Sequence, residues 1–515
     1  MEVLIRTARL AGALTFLATV LPAAAGDRTA ATPGEERSAY VRTQDADAPL
    51  LTIADWLRRG ESVFSAQWTP VEGAGRPMST GTGAPLADGS RPLTFPHNFN
   101  RVSARDANSC AGCHNAPYGI AGGGGDFVTG VFVAAQRFDF ATLDAGDGVL
   151  LRGAVAETGA PVDLQSIGNF RATPGMFGAG FIEMLARQMT ADLQDARDRL
   201  GPGGSVVLSS KGVQFGTLAR AADGRWLVAE VEGLPAQSTR SAGPANPPSL
   251  VIHPFHQSGS VVSLRQFTNN AFNHHHGMQS VERFGDGTDP DGDGIVDELT
   301  RADITAATLF QAALPVPVVE FPRDPVLRKA AVRGRRLFSQ IGCADCHRPT
   351  LALDDEGWIY TEPNPYNPDG NLRPGDAPTV RMDLTSPALP GPRLRAKHGV
   401  VRVPAFTDLK LHDITSGPDD PNAEAVDINE PGGSPGFFAG NRRFLTKKLW
   451  GAANETPYFH HGLYTTLRAA TLGHAGEARV AREAFESLSP ADQGRVIEFL
   501  KTLRVAGPRE RGRRH

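Results

Sequence analysis

Two short strings carry the most specific chemistry in this chain: Cys110-Ala111-Gly112-Cys113-His114 and Cys343-Ala344-Asp345-Cys346-His347. Each has the CXXCH spacing, in which two thiols add across the vinyl groups of a haem and the adjacent histidine reaches the iron as proximal ligand. The two motifs use all four cysteines of the chain, so none is left for a disulfide, a zinc ribbon or a thiol nucleophile. A zinc site would need further Cys or His at ligand spacing, and neither motif has a second CXXC nearby. The expectation is two covalently bound haem c groups held by Cys110, Cys113, His114, Cys343, Cys346 and His347.

A third string offers hard oxygen ligands. Asp289-Pro290-Asp291-Gly292-Asp293 continues to Asp297-Glu298, and alternating aspartates before a glycine match the first half of an EF-hand loop. Position twelve holds Thr300 in place of the usual Glu, so Glu298 would have to close a shortened loop. Calcium on Asp289, Asp291, Asp293, Asp297 and Glu298 is the expectation, against a merely solvated acidic turn. Just upstream lies His274-His275-His276-Gly277-Met278, a second concentration of ligand types.

The elements that must position these groups are only partly regular. The 515 residues suffice for two or three domains, while 57 glycines and 39 prolines point to loop-rich structure. The net charge of -4 gives no hint of nucleic acid as a partner. Arg6 and Arg9 flank the apolar run 10–21, which a small-residue stretch ending near Ala25 follows; this reads as a cleaved signal peptide and a periplasmic protein. No later stretch looks transmembrane.

Residues 51–68 carry apolar positions at helical spacing (Ile53, Trp56, Leu57, Val63, Phe64). The end of that helix, Arg59-Gly60-Glu61-Ser62-Val63-Phe64-Ser65, recurs as Arg333-Gly334-Arg335-Arg336-Leu337-Phe338-Ser339 before the second motif. An equivalent helix is therefore expected in front of each haem, as in cytochrome c domains, with a Gly-, Pro- and Thr-rich insertion in the first copy. The run Gly122–Gly125 lacks the Gly-Lys-Ser/Thr of a phosphate loop and reads as a haem-edge loop. Strands are expected at 127–138 and in a hairpin, 213–221 with 225–231, turning at Asp223-Gly224. Ser489-Pro490 opens a last helix with Val496, Leu500 and Leu503 on one face. The fold class is mainly α with irregular loops and minor β. It comprises a signal peptide (1–25), an N-terminal cytochrome c-type domain (26–240) and a connecting segment with the His-rich stretch and calcium-type loop (241–330), which opens on a linker at 241–248. A C-terminal cytochrome c domain (331–505) and a basic tail (506–515) complete it.

Taken together, the two CXXCH motifs and the strings HHGMQSVERFG (275–285), VPAFTDLKLHD (403–413), LWGAANETPYFHHG (449–462) and LGHAGEA (472–478) resemble the bacterial di-haem cytochrome c peroxidase and MauG superfamily, above all its di-haem oxidoreductase branch. The likeness runs from about 51 to 503 and is weakest between 184 and 248. It implies an electron-transfer haem on His347 whose far-side ligand falls at His474, where the peroxidases have methionine and MauG types tyrosine. Bis-histidine ligation would give a lower potential than methionine; Met382 is the fallback ligand. It also implies that peroxide or another small oxidant reacts at the His114 haem. The stretch 165–174, which matches the RXAP-type string, holds Arg171 but no histidine. Glu183 then becomes the candidate distal acid beside Arg171, with an open iron, or one capped by His274, His275, His276 or Met278, as the alternatives. A family calcium between domains would fall at Glu455 and the Pro457 carbonyl. The implied activity is reduction of hydrogen peroxide with electrons from a small soluble cytochrome c or cupredoxin. MauG-like or rubber-oxygenase-like oxidation of an organic substrate, or pure electron transfer, are the alternatives.

Overall fold

The computed structural model describes residues 40, 42–75, 107–125, 128–132, 154–155, 161–162, 168–289, 294–430 and 434–507. The expected signal peptide, the insertion between first helix and first motif, Asp291, Asp293 and the basic tail lie outside the described residues. The fold is mixed: helices joined by long irregular segments, with small antiparallel sheets of two or three strands. Among the described residues no helix is long and apolar enough to cross a membrane.

The repeated helices are α1 (Ile53–Ser65) and, further on, Pro325–Gln340. Thr52 opens α1 with a capping box to Asp55, satisfying two otherwise orphaned backbone donors. The sheet elements that follow are β1 (Val128–Phe132), paired antiparallel with β2 (Gly168–Ala172), and a meander of β3 (Ser205–Ser210), β4 (Val213–Arg220) and β5 (Trp226–Leu227). The expected hairpin at Asp223-Gly224 is the β4–β5 connection; β3 was not foreseen, because its pattern of serines and valines has no turn signal stronger than Lys211-Gly212. Both of those residues have positive φ, +49° and +80°, as a two-residue hairpin turn requires.

The main core gathers around α2 (Ala179–Asp198), which buries Phe181, Ile182, Leu185, Met189 and Leu193 against β3, α3 (Leu264–Ala271), α4 (Arg301–Ala312) and the strand Leu351–Leu353, while α1 joins the same core through Trp56 and its packing on α4. Thr300, the residue at position twelve of the acidic loop, is the N-cap of α4 with Asp303 completing a capping box. The second repeated helix, α5 (Pro325–Gln340), packs on α8 (Pro490–Leu500); between them in sequence lie α6 (Leu467–Leu472) and α7 (Arg479–Glu486). Leu503 corrects the expected last helix: α8 stops at Leu500, and Leu503 is buried in a short strand that pairs with Val319.

The glycine of each repeat has one job. A Cβ on Gly60 would collide with the Ala306 carbonyl of α4, and one on Gly334 with the Arg495 carbonyl of α8. Each repeated helix thus crosses a partner helix at backbone distance, at the one residue without a side chain.

Candidate haem sites

Each CXXCH motif forms a single helical turn, closed by His114 N–H to the Cys110 carbonyl (2.9 Å) and by His347 N–H to the Cys343 carbonyl (3.0 Å). That turn puts both cysteines and the histidine of each motif on one side. The imidazoles are then oriented from behind. His114 Nδ1 lies 3.0 Å from the Pro174 carbonyl and 3.2 Å from that of Gly123, and His347 Nδ1 lies 3.1 Å from the Phe406 carbonyl. A carbonyl fixes the proton on Nδ1, which leaves Nε2 as the lone-pair nitrogen, the arrangement typical of metal-bound histidine. Burial lowers both pKa values from 6.5 to about 4, so the rings are neutral and able to ligate.

At the second motif another imidazole faces the first. The ring centres of His347 and His474 are 6.4 Å apart, at 76°. His474 follows α6, whose N-cap is Thr466, and its Nδ1 lies 2.9 Å from the Ala470 carbonyl. An imidazole nitrogen sits about 2 Å from a metal it binds, so two rings on opposite faces of one iron have centres roughly 6 Å apart. Phe338, Phe406 and Phe499 close the apolar side of this pocket, and Phe459 stands 5.1 Å from His474. Met382 lies elsewhere: it is buried in the main core on a strand where it pairs with Tyr360.

Around the first motif the walls are Phe64, Met176, Phe177, Leu314 and Val505, packed against Cys110 and Ala111. The glycine run is a close-packed loop, as expected. A Cβ on Gly123 would strike the Ala116 carbonyl, and one on Gly125 the Cys113 carbonyl. Of the His-rich stretch, His276 is buried with Nδ1 2.7 Å from the Ala107 carbonyl and Nε2 3.4 Å from Cys110 Sγ. Met278 is core, with Trp68, Phe272 and Leu299. His275 is close enough for its charge to lower the pKa of His114.

Arg171 and Glu183 fall into separate networks. Arg171, on β2, pairs with Glu424 at 2.5 Å and its Nε donates to His256 Nε2 at 3.4 Å. Gln257 and Asn441 also donate to Glu424, and His460 Nε2 is 3.9 Å away. His256 has φ +64°, a left-handed conformation that costs a non-glycine residue energy and is concentrated at functional sites. Arg171 keeps one nitrogen, Nη2, buried without a protein partner among the described residues, as a residue awaiting an anionic group such as a haem propionate would. Sequence reasoning missed His256 and Glu424, since a lone histidine and a lone glutamate in irregular chain carry no spacing signal.

Glu183 is 0 % exposed. It accepts from Arg187 (2.5 Å), Asn364 Nδ2 (2.7 Å), the Leu264 N–H (2.8 Å) and the Tyr360 hydroxyl (3.2 Å). The same hydroxyl is 3.4 Å from Glu362, which pairs with Arg265, and Arg265 also pairs with Glu282. Its acceptor positions are thus taken by core donors at the start of α3 and on the 359–364 segment.

The acidic loop is described only at its ends. Asp289 Oδ2 accepts from Gly294 N–H (2.9 Å), Asp297 Oδ1 from Gly287 N–H (2.7 Å), and buried Glu298 from Gln279 N–H (2.7 Å). Glu455 lies 3.8 Å from Lys448 Nζ. Cys346, Asp408 and His412 converge closely enough to suggest a metal triad, but Cys346 belongs to the second motif. His412 is better read as an imidazolium between Asp408 (2.9 Å) and Glu477 (2.6 Å); desolvation opposes its charge, and these partners override it to raise its pKa to about 11.

Residues 384–503 match the family model described as "Di-haem oxidoreductase, putative peroxidase". No curated protein matches the chain. Among solved structures, hydrazine synthase of Kuenenia stuttgartiensis is similar at 14% identity over 62% of this chain and 87% of its own, with a TM-score of 0.25. A MauG-like protein associated with microbial copper homeostasis is similar at 18% identity over 40% of this chain and 55% of its own, with a TM-score of 0.21. The likeness to the di-haem oxidoreductase family thus covers residues 384–503, which include His474.

Proposed function

We propose that the protein is a periplasmic di-haem c-type oxidoreductase that reduces hydrogen peroxide at the haem on His114, with electrons received from a small soluble donor and passed through the haem on His347. The observation that carries this reading is the His347–His474 ring pair, 6.4 Å apart with each Nδ1 held by a backbone carbonyl. Two such ligands suit an iron that only exchanges electrons, because no ligand position is left for a substrate. Haem at each motif would supply the redox-active iron; the chain supplies everything that orients it. Cys110 and Cys113, and Cys343 and Cys346, tether. His114 and His347 would each ligate one iron, and His474 would be a second ligand of the iron on His347. Arg171 offers its unpartnered Nη2 to an anionic group, and Glu424 holds that guanidinium in place. Calcium at the acidic loop remains part of the proposal through Asp289, Asp291, Asp293, Asp297 and Glu298.

One set of measurements tests this. The mass of the mature protein from a strain competent in haem attachment should show two haem additions. Resting and half-reduced electron paramagnetic resonance spectra should show one low-spin bis-histidine haem and a second signal that peroxide alters. Fewer than two additions, or two six-coordinate haems indifferent to peroxide, would refute an enzyme of this kind.

A further inference from the structure

We infer that the dipeptide Phe459-His460 is the electron bridge between the two haem pockets, an inference that rests on the proposed two-haem reading. The two residues are neighbours in sequence and serve opposite pockets. The Phe459 ring stands edge-on to His474, with centres 5.1 Å apart. The His460 carbonyl accepts a 2.6 Å hydrogen bond from the Ala172 N–H at the end of β2. Two residues beyond Ala172, the Pro174 carbonyl accepts from His114 Nδ1 at 3.0 Å. From one imidazole to the other the route is therefore one ring contact, two hydrogen bonds and two short runs of covalent chain.

The conformation of the dipeptide supports a specific role. Phe459 has φ +64°, a left-handed conformation that is strained for an aromatic residue. Stacking of its ring on His461 and edge contact with Tyr464 hold it there, and stacking of His460 on Phe444 (4.3 Å, 12°) holds the other half. Strain that the surroundings maintain is concentrated at functional positions. Here it directs consecutive residues to two different pockets.

With haem bound at both motifs, each transfer would oxidise the iron held by His347 and His474 by one electron and reduce the iron held by His114 by one. Two transfers with two protons convert one hydrogen peroxide to two waters, and the soluble donor restores the electrons.

The test injects single electrons into the haem-loaded protein by pulse radiolysis and follows their redistribution between the haems optically, in Phe459→Leu, Phe459→Tyr and Ala172→Pro. Phe459→Leu removes the ring and Ala172→Pro removes the donor N–H, so each should slow redistribution by about tenfold or more, while Phe459→Tyr, which keeps the ring, should stay within about twofold of the parent. The low-spin signal of the His347 haem should persist in all three. Unslowed redistribution in both Phe459→Leu and Ala172→Pro would overturn the bridge. Loss of the low-spin signal in Phe459→Leu would also count against it, since Phe459 would then act by holding His474. If the low-spin signal is already missing in the parent, the His474 ligation has failed, which is a different result from failure of the bridge.

Discussion

Phe64 lies against the ring of His114 with centres 6.1 Å apart at 51°, and Phe338 stands to His347 in nearly the same relation, 6.4 Å at 48°. The phenylalanines occupy the same place in the sequence repeat, four residues after the glycine that meets a partner helix. Spacing by four puts both on one face of a helix, so the glycine sets how close the helices cross and the phenylalanine reaches the histidine from that fixed position. Two sequence-distant halves of the chain thus build their pockets by one device.

That device predicts an inversion of the usual effect of helical glycine. Replacing glycine by alanine inside an exposed helix stabilises by about 1 kcal/mol. At Gly60 and Gly334 the added Cβ meets a backbone carbonyl of the crossing helix, and forcing atoms into a packed interface typically costs about 1–3 kcal/mol. Gly60→Ala and Gly334→Ala should therefore both lower the urea midpoint. A rise in either would show that the crossing is not tight there.

A second prediction concerns Glu183. Its four core donors include Arg187, whose side chain is 8 % exposed, and removing one partner of a buried pair leaves the other charge uncompensated, at a cost of roughly 3 kcal/mol or more. Glu183→Gln should lower thermal stability markedly. A distal acid would behave otherwise: peroxide turnover would fall by about a hundredfold with the melting temperature unchanged. Calorimetry and turnover on the same sample separate the two.

The legible parts of this structure were those with a repeated or spaced signal. The motifs, the two helices before them, the β4–β5 hairpin and the α8 cap all have residue patterns that local physics reads directly. His474 came from the resemblance alone, since a single histidine after a short helix carries no periodicity. The Arg171–His256–Glu424 cluster joins residues 85 and 253 positions apart, and the surroundings of Glu183 come from 264, 360 and 364. Such groupings depend on tertiary packing, to which no window along the chain is sensitive.

Acid should destabilise the protein in a window set by buried neutral histidines. His253 is 7 % exposed, its Nε2 lies 3.3 Å from Ser238 Oγ, and burial lowers its pKa from 6.5 to about 4. Between those values the unfolded chain binds a proton that the folded one refuses, so stability falls as pH drops from 6.5 towards 4, by up to about 1.4 kcal/mol per pH unit for one such group. His253→Gln should flatten that slope by about one proton in urea titrations across the window. An unchanged slope would mean that His253 takes up its proton in the folded state.

The last prediction weighs His474 against Met382 as sixth ligand of the His347 haem. The His474 ring centre lies 6.4 Å from that of His347 and its Nδ1 is anchored on the Ala470 carbonyl. Met382, in contrast, is 2 % exposed in the main core and opposite Tyr360, among residues distinct from the Phe338, Phe406 and Phe499 cluster that encloses His347. Reaching the iron would require Met382 to leave that core, at the cost of about 2–5 kcal/mol associated with vacating a large buried side chain. His474→Gly should therefore convert the low-spin signal of this haem to high-spin, and added imidazole should restore it by entering the space. Met382→Leu, which conserves volume, should leave the spectrum as it was. A low-spin signal that survives His474→Gly and disappears in Met382→Leu would transfer the ligand role to Met382.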